Sequence, residues 1–192
     1  IVKEKGRSKS LSEFLRENGL CDEDVLKMVY LVDSNYKVNC RECVVDAVFR
    51  VLDCRRDPKA ILGFDDWRRR AELVEKEIEK WVCASSVEMG RIVFKEVDTK
   101  FNIISSVARR VAWSNPGRVT VVVNKGYFED LAQVYIREFK VGVDLSWIID
   151  FAVGKGFSAG GRSNVVGVVL PREELDGFLT VVLNRLRGCL KG

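Results

Sequence analysis

Five glycines fall within the fourteen residues from Gly154 to Gly167, and sequence that favours helix or strand lies on both sides. Glycine loses more conformational entropy on folding than any other residue, so this density indicates backbone that turns sharply or closely approaches a ligand. Lys155 and Arg162 lie in the same stretch, and backbone N–H groups beside two cations suit a phosphate or another anion. The alternative is a long surface loop whose glycines only make turns, since a lone glycine-rich match indicates a ligand site only weakly.

Part of this stretch, Gly156–Ser163, nearly matches a phosphate-binding P-loop, with Arg162 in the place of the lysine. A P-loop follows a strand and begins a helix. Here a predicted helix over residues 145–153 comes before the glycines, and a predicted β-branched strand over residues 165–170 comes after them. This order excludes a P-loop, and it also excludes a dinucleotide-binding fingerprint. We therefore predict a glycine-rich turn that leads from a helix into a strand.

The first third of the chain has the apolar periodicity of helices. Ser10 can cap a short helix that ends at Glu17, and a second helix begins at Asp22. A third helix is expected over residues 41–52. The apolar positions at helical spacing are Val25, Leu26, Val29 and Val32 in the second helix and Val44, Val45, Val48 and Leu52 in the third. We predict a helical N-terminal segment over residues 1–64.

A longer helix is expected from Asp65 to about Val82, and it would serve as a linker helix over residues 65–83. Apolar residues recur in it at spacings of four and three, which produces a two-heptad seam. The seam comprises Trp67, Ala71, Val74, Ile78 and Trp81. The arginine triplet at residues 68–70 could contact phosphate, but a solvated face with internal ion pairs such as Glu72–Lys76 is the preferred interpretation.

The pattern changes after the long helix, where β-branched runs alternate with helical periodicity. The expected strands are residues 118–124, 132–139 and 165–170, with one long strand or a pair of strands over residues 87–97. The expected helices are residues 101–113 and 145–153, and a last helix that begins at Pro171. The expected inward stripe of this last helix consists of Leu175, Phe178, Leu179, Val182 and Leu186. The predicted fold class is α/β, of the α+β kind, with a mixed sheet in a domain of residues 84–192.

The net charge of +4 permits a nucleic-acid partner without requiring one. The excess is local, because nine Lys and Arg residues stand against five acidic residues between Thr99 and Leu170. A membrane-spanning helix needs about 20 apolar residues, and no apolar run in the sequence is that long. No signal peptide is recognisable either. We therefore expect a cytoplasmic protein without a membrane partner. The first residue is Ile1 rather than Met, which leaves room for upstream sequence.

Histidine is absent from the chain, and six residues are cysteine. The absence excludes Ser-His-Asp and Cys-His nucleophilic schemes within this sequence, and it removes the commonest metal ligand. Cys40 and Cys43 have the spacing of half a zinc site, which Cys21 and Cys54 could complete. The preferred interpretation is reduced, partly buried cysteines, with Cys40 and Cys43 on a helix, and a disulfide between these two is the third possibility.

Residues 160–167, Gly-Gly-Arg-Ser-Asn-Val-Val-Gly, resemble the Gly-Gly-His-Pro-x-Ala-Ala-Gly motif of the DHH-associated domain. This is the C-terminal domain of the DHH phosphoesterases, which include RecJ-type single-strand exonucleases. The strand at residues 134–137, the helix at 144–154 and the closing helix at 171–186 follow one another as they do in that domain. Residues 33–67 and the long helix are similar to the segment that joins the two domains of archaeal RecJ-like proteins, so the resemblance covers most of residues 25–187.

Three departures change what the resemblance implies. Arg162 stands where the motif has histidine, and Val165 and Val166 replace two alanines. The DHH domain, whose Asp and His residues bind the catalytic metals, is missing. The resemblance therefore implies the nucleic-acid-binding half of a RecJ-like protein, with no catalytic residue, no metal site and no cofactor. Archaea have such catalytically reduced relatives, which act in DNA replication as partners of the GINS complex and the replicative helicase.

We expect the sugar–phosphate backbone of single-stranded DNA, or of RNA as in the related domain of alanyl-tRNA synthetases, to bind at the glycine-rich stretch. The expected binding residues are Gly160, Gly161, Arg162, Ser163, Asn164 and Arg137, with Lys155, Arg109 and Arg110 widening the basic track. One alternative is an assembly protein that docks on a replication partner through its N-terminal helices or a sheet edge. Another is the recognition half of an active DHH-family exonuclease or phosphoesterase whose catalytic domain lies outside this chain.

Overall fold

The structure is a computed structural model, and it describes Glu13 and residues 15–190. The chain divides into two compact units, Ile1–Glu75 and Lys76–Gly192. The finer division into residues 1–64, 65–83 and 84–192 stays a prediction. The short helix expected from Ser10 lies largely outside the described residues, although residues 15–17 are helical. Gly19, at a φ of +62°, follows this turn.

The first unit is helical. Helix α1 spans Asp22–Lys37, α2 spans Arg41–Asp53, and α3 begins at Asp65 and ends at Cys83. Short 3-10 segments over Cys54–Arg56 and Pro58–Gly63 lie between α2 and α3. Helix α1 begins with a capping box, in which the Asp24 carboxylate accepts from the Cys21 backbone at 3.1 Å. The expected helices therefore form, with boundaries close to the predicted ones.

The core of the first unit is small, and it does not include the predicted apolar face of α2. Its buried apolar residues are Leu31, Ala47, Cys54, Ile61 and Trp67. Phe64 meets the Trp67 ring edge-on, with the ring centroids 4.8 Å apart. The α2 face is largely exposed, at 50% for Val45 and 55% for Val48, because the core lies on the side of Ala47 instead. The helical periodicity thus predicted α2 correctly, although its apolar face is largely exposed.

Helix α3 has the predicted seam, and ion pairs form within the helix between residues other than the expected Glu72 and Lys76. Trp67, Val74 and Ile78 are buried. Arg68 pairs with Asp65 at 2.7 Å, and Arg70 pairs with Asp66 at 3.2 Å. These pairs within the helix favour the solvated-face interpretation of the arginine triplet over phosphate contact.

The second unit is built on a six-stranded mixed sheet with the strand order β1-β2-β3-β4-β6-β5. The strands are β1 Val87–Met89, β2 Ile92–Val97, β3 Arg118–Asn124, β4 Leu131–Phe139, β5 Ser158–Arg162 and β6 Val165–Pro171. The helices are α4 Ile104–Ser114, α5 Ser146–Gly154 and α6 Leu175–Cys189. Strands β2 and β3 are parallel and the other neighbouring pairs are antiparallel. This architecture confirms the predicted α+β class, and residues 87–97 form the strand pair rather than one strand.

The two faces of this sheet are covered by different helices. One face carries Val119, Val121 and Val123 of β3 with the matching apolar positions of β4 and β6, and it packs against α5 and α6. The predicted inward stripe of α6 is buried in this core, and it consists of Leu175, Phe178, Leu179, Val182 and Leu186. Helix α4 packs against β3 and β4. Because α4 contributes nothing to the first core, it lies on the opposite face, where Thr120 and Val122 point.

Three local expectations need correction. The glycine-rich stretch does not form an irregular turn, because Ser158–Arg162 is the edge strand β5 and pairs along its length with β6. Helix α5 includes Gly154, and Gly156, with a φ of +82°, follows its end. Pro171 ends β6 instead of beginning the last helix, since a 3-10 turn over Arg172–Glu174 comes between them.

Candidate nucleic-acid interface

The glycine-rich stretch is a β-hairpin with a two-residue turn at Ser163 and Asn164. Gly161 has a φ of +151°, a conformation that side chains rarely allow. A Cβ atom at this position would overlap the carbonyl oxygen of Val165 and lie 2.9 Å from the Cα of Val166. Gly161 is therefore required by the hairpin itself, whereas Gly160 faces open space, where a Cβ atom would meet nothing within 4 Å.

The strand register determines which side chains share a face with this hairpin. Directly paired residues of neighbouring antiparallel strands point to the same side of a sheet. Val166 and Val168 of β6 point into the core with α5 and α6, so Val165 and Gly167 point to the other face. One cross-strand row on that face is Thr120, Arg137, Val165 and Arg162, and the next row is Val122, Tyr135, Gly167 and Gly160.

These two rows form a surface that we call the glycine shelf: Tyr135, Arg137, Gly160, Arg162 and Gly167. The two glycines leave its middle without side chains, and the Tyr135 ring lies 3.6 Å from the position of a Cβ on Gly167. The two arginines are separated by two strand spacings, which places their backbones about 10 Å apart. The shelf thus combines two cations, accessible backbone and an aromatic ring on one face.

The cations of the shelf have no counter-charge within residues 15–190. Neither Arg137 nor Arg162 forms an ion pair with a carboxylate in that part of the chain. The Nε of Arg137 and the Oγ1 of Thr120 are buried and have no hydrogen-bond partner there. These two residues are direct cross-strand partners, so both unpaired atoms belong to one site. Buried polar groups nearly always have partners, and an ordered buried water would satisfy both donors.

The hairpin turn is held in place through its carbonyl groups. The backbone N–H of Leu145 donates to the Ser163 carbonyl at 2.7 Å, and that of Glu138 donates to the Asn164 carbonyl at 3.1 Å. The Asp144 carboxylate accepts from both the N–H and the hydroxyl of Ser146, and these hydrogen bonds lower the pKa of Asp144. The position of Arg162 therefore depends on the start of α5 as well as on β6.

The predicted backbone contacts at Gly160 and Gly161 cannot both be made to one ligand on the sheet edge. Successive N–H groups along a strand point to opposite sides, so one of the two faces β6 and the other faces the free edge. The structure thus leaves a single backbone N–H of this pair for an anion beside β5.

The other predicted cations lie on elements outside the shelf. Arg110 lies on α4 and pairs with Glu79 at 2.9 Å, while Arg109 lies 5.7 Å from the Trp113 ring centroid. Lys155 lies before the start of β5, and Arg162 lies at its end, so the length of a five-residue strand, about 15 Å, separates them. Their contribution to a basic track stays a prediction.

Tyr135 of the shelf and Thr120 beside it were not predicted from the sequence. Both were inside expected strands, at positions that alternate with apolar neighbours. Tyr135 lies two residues before Arg137, so the period of two in a strand places both on one face. Thr120 interrupts a valine run, and only the register between β3 and β4 reveals that it is next to Arg137.

The cysteines do not form the half of a zinc site that the sequence allowed. The sulfurs of Cys40 and Cys43 are joined in a disulfide at the start of α2. Within the described residues, no group of three or more His, Cys, Asp and Glu residues is placed to hold a metal ion. None of the helices in the same part of the chain is both long and apolar enough to cross a membrane.

Two solved structures share this fold, each with a TM-score of 0.53. RecJ from Thermus thermophilus, in complex with Mg²⁺, is 13% identical, and the match covers 77% of this chain and 23% of RecJ. The DHH domain of a member of the s1p family of ribosomal proteins is 18% identical, and the match covers 93% of this chain and 45% of that structure. The chain thus has a RecJ-like, DHH-type fold over less than half the length of these proteins.

No protein-family model matches the sequence, and no curated protein matches it significantly.

Proposed function

We propose that this chain binds single-stranded nucleic acid through its sugar–phosphate backbone at the glycine shelf. The observation that carries the proposal is the row formed by Arg137 and Arg162, two cations without carboxylate partners in the described chain, beside two glycines. Phosphate contacts from arginine and backbone N–H groups position a strand without reading its bases. The Tyr135 ring adds a surface on which a base can stack, as in sequence-tolerant single-strand binding.

The chain is proposed to act without catalysis of its own. It has no histidine, so the Asp-His metal site of the DHH domain has no counterpart in this sequence. Arginine in place of the motif histidine keeps a cation and hydrogen-bond donors at the hairpin, which favours anion binding over proton transfer. A nuclease assay of the purified chain with Mn²⁺ should therefore show no cleavage of a single-stranded oligonucleotide, and cleavage that co-purifies with the chain would contradict this part of the proposal.

The cellular role that we propose is in DNA replication, as a partner of the GINS complex and the replicative helicase. It rests on the resemblance to catalytically reduced archaeal RecJ-like proteins, because the fold is shared with RecJ while the catalytic residues are missing. The alternative, a recognition half of an active DHH-family enzyme, has the same shelf but requires a catalytic domain supplied by further sequence. Stoichiometric co-purification with GINS would support the replication role, and its failure would leave the binding proposal unaffected.

The binding proposal is tested by replacing one shelf cation. Arg162→Ala should weaken binding of a fluorescein-labelled single-stranded oligonucleotide several-fold, because it removes one charge-assisted phosphate contact. Arg56→Ala is the matched control, since it removes a likewise exposed positive charge from the helical unit. Fluorescence anisotropy at fixed salt measures both. Equal affinities of the two variants would show that the shelf is not the binding site.

A further inference from the structure

A groove of about 810 Å³ runs between α1 and α2 in the first unit. Apolar side chains at helical spacing line both of its sides. They include Val25, Val29 and Tyr36 of α1 and Val44, Val48 and Leu52 of α2. Each helix thus presents a continuous apolar stripe to the groove, as helices do when they pack against another element.

The exposure of this groove is unusual for the described chain. Of the fourteen large apolar side chains that are exposed in the described chain, nine lie between residues 26 and 52. Val29 is 58% exposed and Leu52 is 53% exposed, and Leu26 and Phe49 extend the apolar surface beyond the groove. Contiguous apolar patches larger than a few hundred Å² are rare on isolated proteins, and they usually mark interaction sites. The groove therefore has the character of an unfilled interface.

The shape of the groove favours a helix as its occupant over a second copy of the chain. A symmetric dimer through this face would place groove against groove, and the two concave surfaces would leave a void that close-packed interfaces do not tolerate. A single helix is convex and about 10 Å wide, and it can contact both stripes at once. Recognition of an amphipathic helix in an apolar groove is a common mode of protein binding.

The charge of the two helices indicates which kind of helix would bind. Residues 22–53 contain seven carboxylates and four Lys or Arg residues, a net charge of −3 in a chain whose total is +4. The carboxylates are Asp22, Glu23, Asp24, Asp33, Glu42, Asp46 and Asp53. A net negative charge on the two helices that form an apolar groove favours a partner of opposite charge.

We propose that the α1–α2 groove binds an amphipathic helix of a partner protein, with apolar residues at i, i+3, i+4 and i+7 and with Lys or Arg on the flanks. All groove residues belong to the first unit, whereas the glycine shelf belongs to the second. The chain would then carry a protein-binding surface and a nucleic-acid-binding surface on separate parts of its sequence.

The test uses the full chain and two fluorescein-labelled 18-residue peptides with the same leucine pattern. One peptide has lysine at its polar positions and the other has glutamate. We expect the lysine peptide to bind several-fold more tightly than the glutamate peptide. The double variant Val29→Asn/Val48→Asn should lose about tenfold in affinity for the lysine peptide, because it removes apolar area from both stripes.

Val181→Asn is the matched control, because Val181 is 46% exposed on α6 and lies outside the groove. It should bind the lysine peptide like the unchanged chain, and circular dichroism should show an unchanged helix content in all variants. Absence of binding, or equal affinities in the double variant and the control, would overturn the proposal. Sedimentation showing a dimer that dissociates in the Val29→Asn/Val48→Asn variant would also overturn it, because a second copy would then be the occupant.

Discussion

Gly161 is the residue at which the backbone allows the least choice of side chain. Gly161→Ala should lower the free energy of unfolding by about 1–3 kcal/mol, because a φ of +151° strains an alanine and its methyl group overlaps the Val165 carbonyl. Gly160→Ala is the neighbouring control, since a methyl group there meets nothing within 4 Å. Chemical denaturation of both variants measures the difference, and equal stabilities would contradict the hairpin geometry.

Thr120 contributes a buried hydroxyl group that has no hydrogen-bond partner in the described chain. Thr120→Val should raise the free energy of unfolding by about 1 kcal/mol, because it replaces an unpaired buried polar atom with a methyl group of similar size. The same variant should bind a single-stranded oligonucleotide with unchanged affinity, because Thr120 is fully buried and does not reach a bound strand. A fall in stability without a change in affinity would indicate that the hydroxyl has a purely structural partner such as a bound water.

At the scale of elements, one buried lysine links β2 to the end of α3. Lys95 is 2% exposed, and its ammonium group donates to the carbonyls of Ala84 and, at 3.2 Å, Val82. Burial lowers the pKa of Lys95 below its usual value of 10.5. The unfolded chain therefore binds a proton more readily here than the folded one, so this residue's contribution to stability rises as the pH increases from the lowered pKa towards 10.5.

Replacing this lysine separates its titration from that of the rest of the protein. The unchanged chain should gain unfolding free energy relative to Lys95→Met as the pH rises towards 10.5. Denaturant titrations at intervals from about neutral pH upwards measure this difference. Parallel pH profiles for the two proteins would contradict a lowered pKa at Lys95.

The elements that the sequence predicted well are those whose burial pattern is continuous. The five apolar positions of α6 and the valine run of β3 are periodic over their whole length, and the structure buries them as expected. Strand β5 was missed because Ser-Ala-Gly-Gly-Arg has neither β-branched residues nor an apolar face. It is a strand because β6 offers a free edge and Gly161 allows a close approach, and both are tertiary conditions that composition does not express.

Only part of the candidate site was predictable from the sequence. Arg162 and the glycines were identified from their local pattern, and Arg137 from the order of elements that the resemblance supplied. Arg137, Thr120 and Tyr135 lie close together because of the register between strands β3, β4 and β6. A single sequence does not reveal this register. Arg110 was expected to widen a basic track, and its ion pair with Glu79 is a tertiary contact that the sequence does not reveal.

At the scale of the whole molecule, the charge is divided between functionally different parts. The acidic helices of residues 22–53 border an apolar groove, while the positive excess lies in the sheet-containing unit with the glycine shelf. A mainly electrostatic ligand such as a nucleic-acid strand should therefore respond to changes in the second unit and be indifferent to neutral substitutions in the first. The binding of a partner helix should show the reverse behaviour.

The most direct test of the central claim is the salt dependence of single-strand binding. For a single strand, the slope of log K against log salt is about −0.7 for each phosphate neutralised. Arg137→Gln/Arg162→Gln should therefore flatten the slope by about 1.4, whereas Arg55→Gln/Arg56→Gln, which removes two exposed charges from the first unit, should leave it unchanged. An unchanged slope in the shelf variant, or an equal change in both variants, would contradict phosphate binding at the glycine shelf.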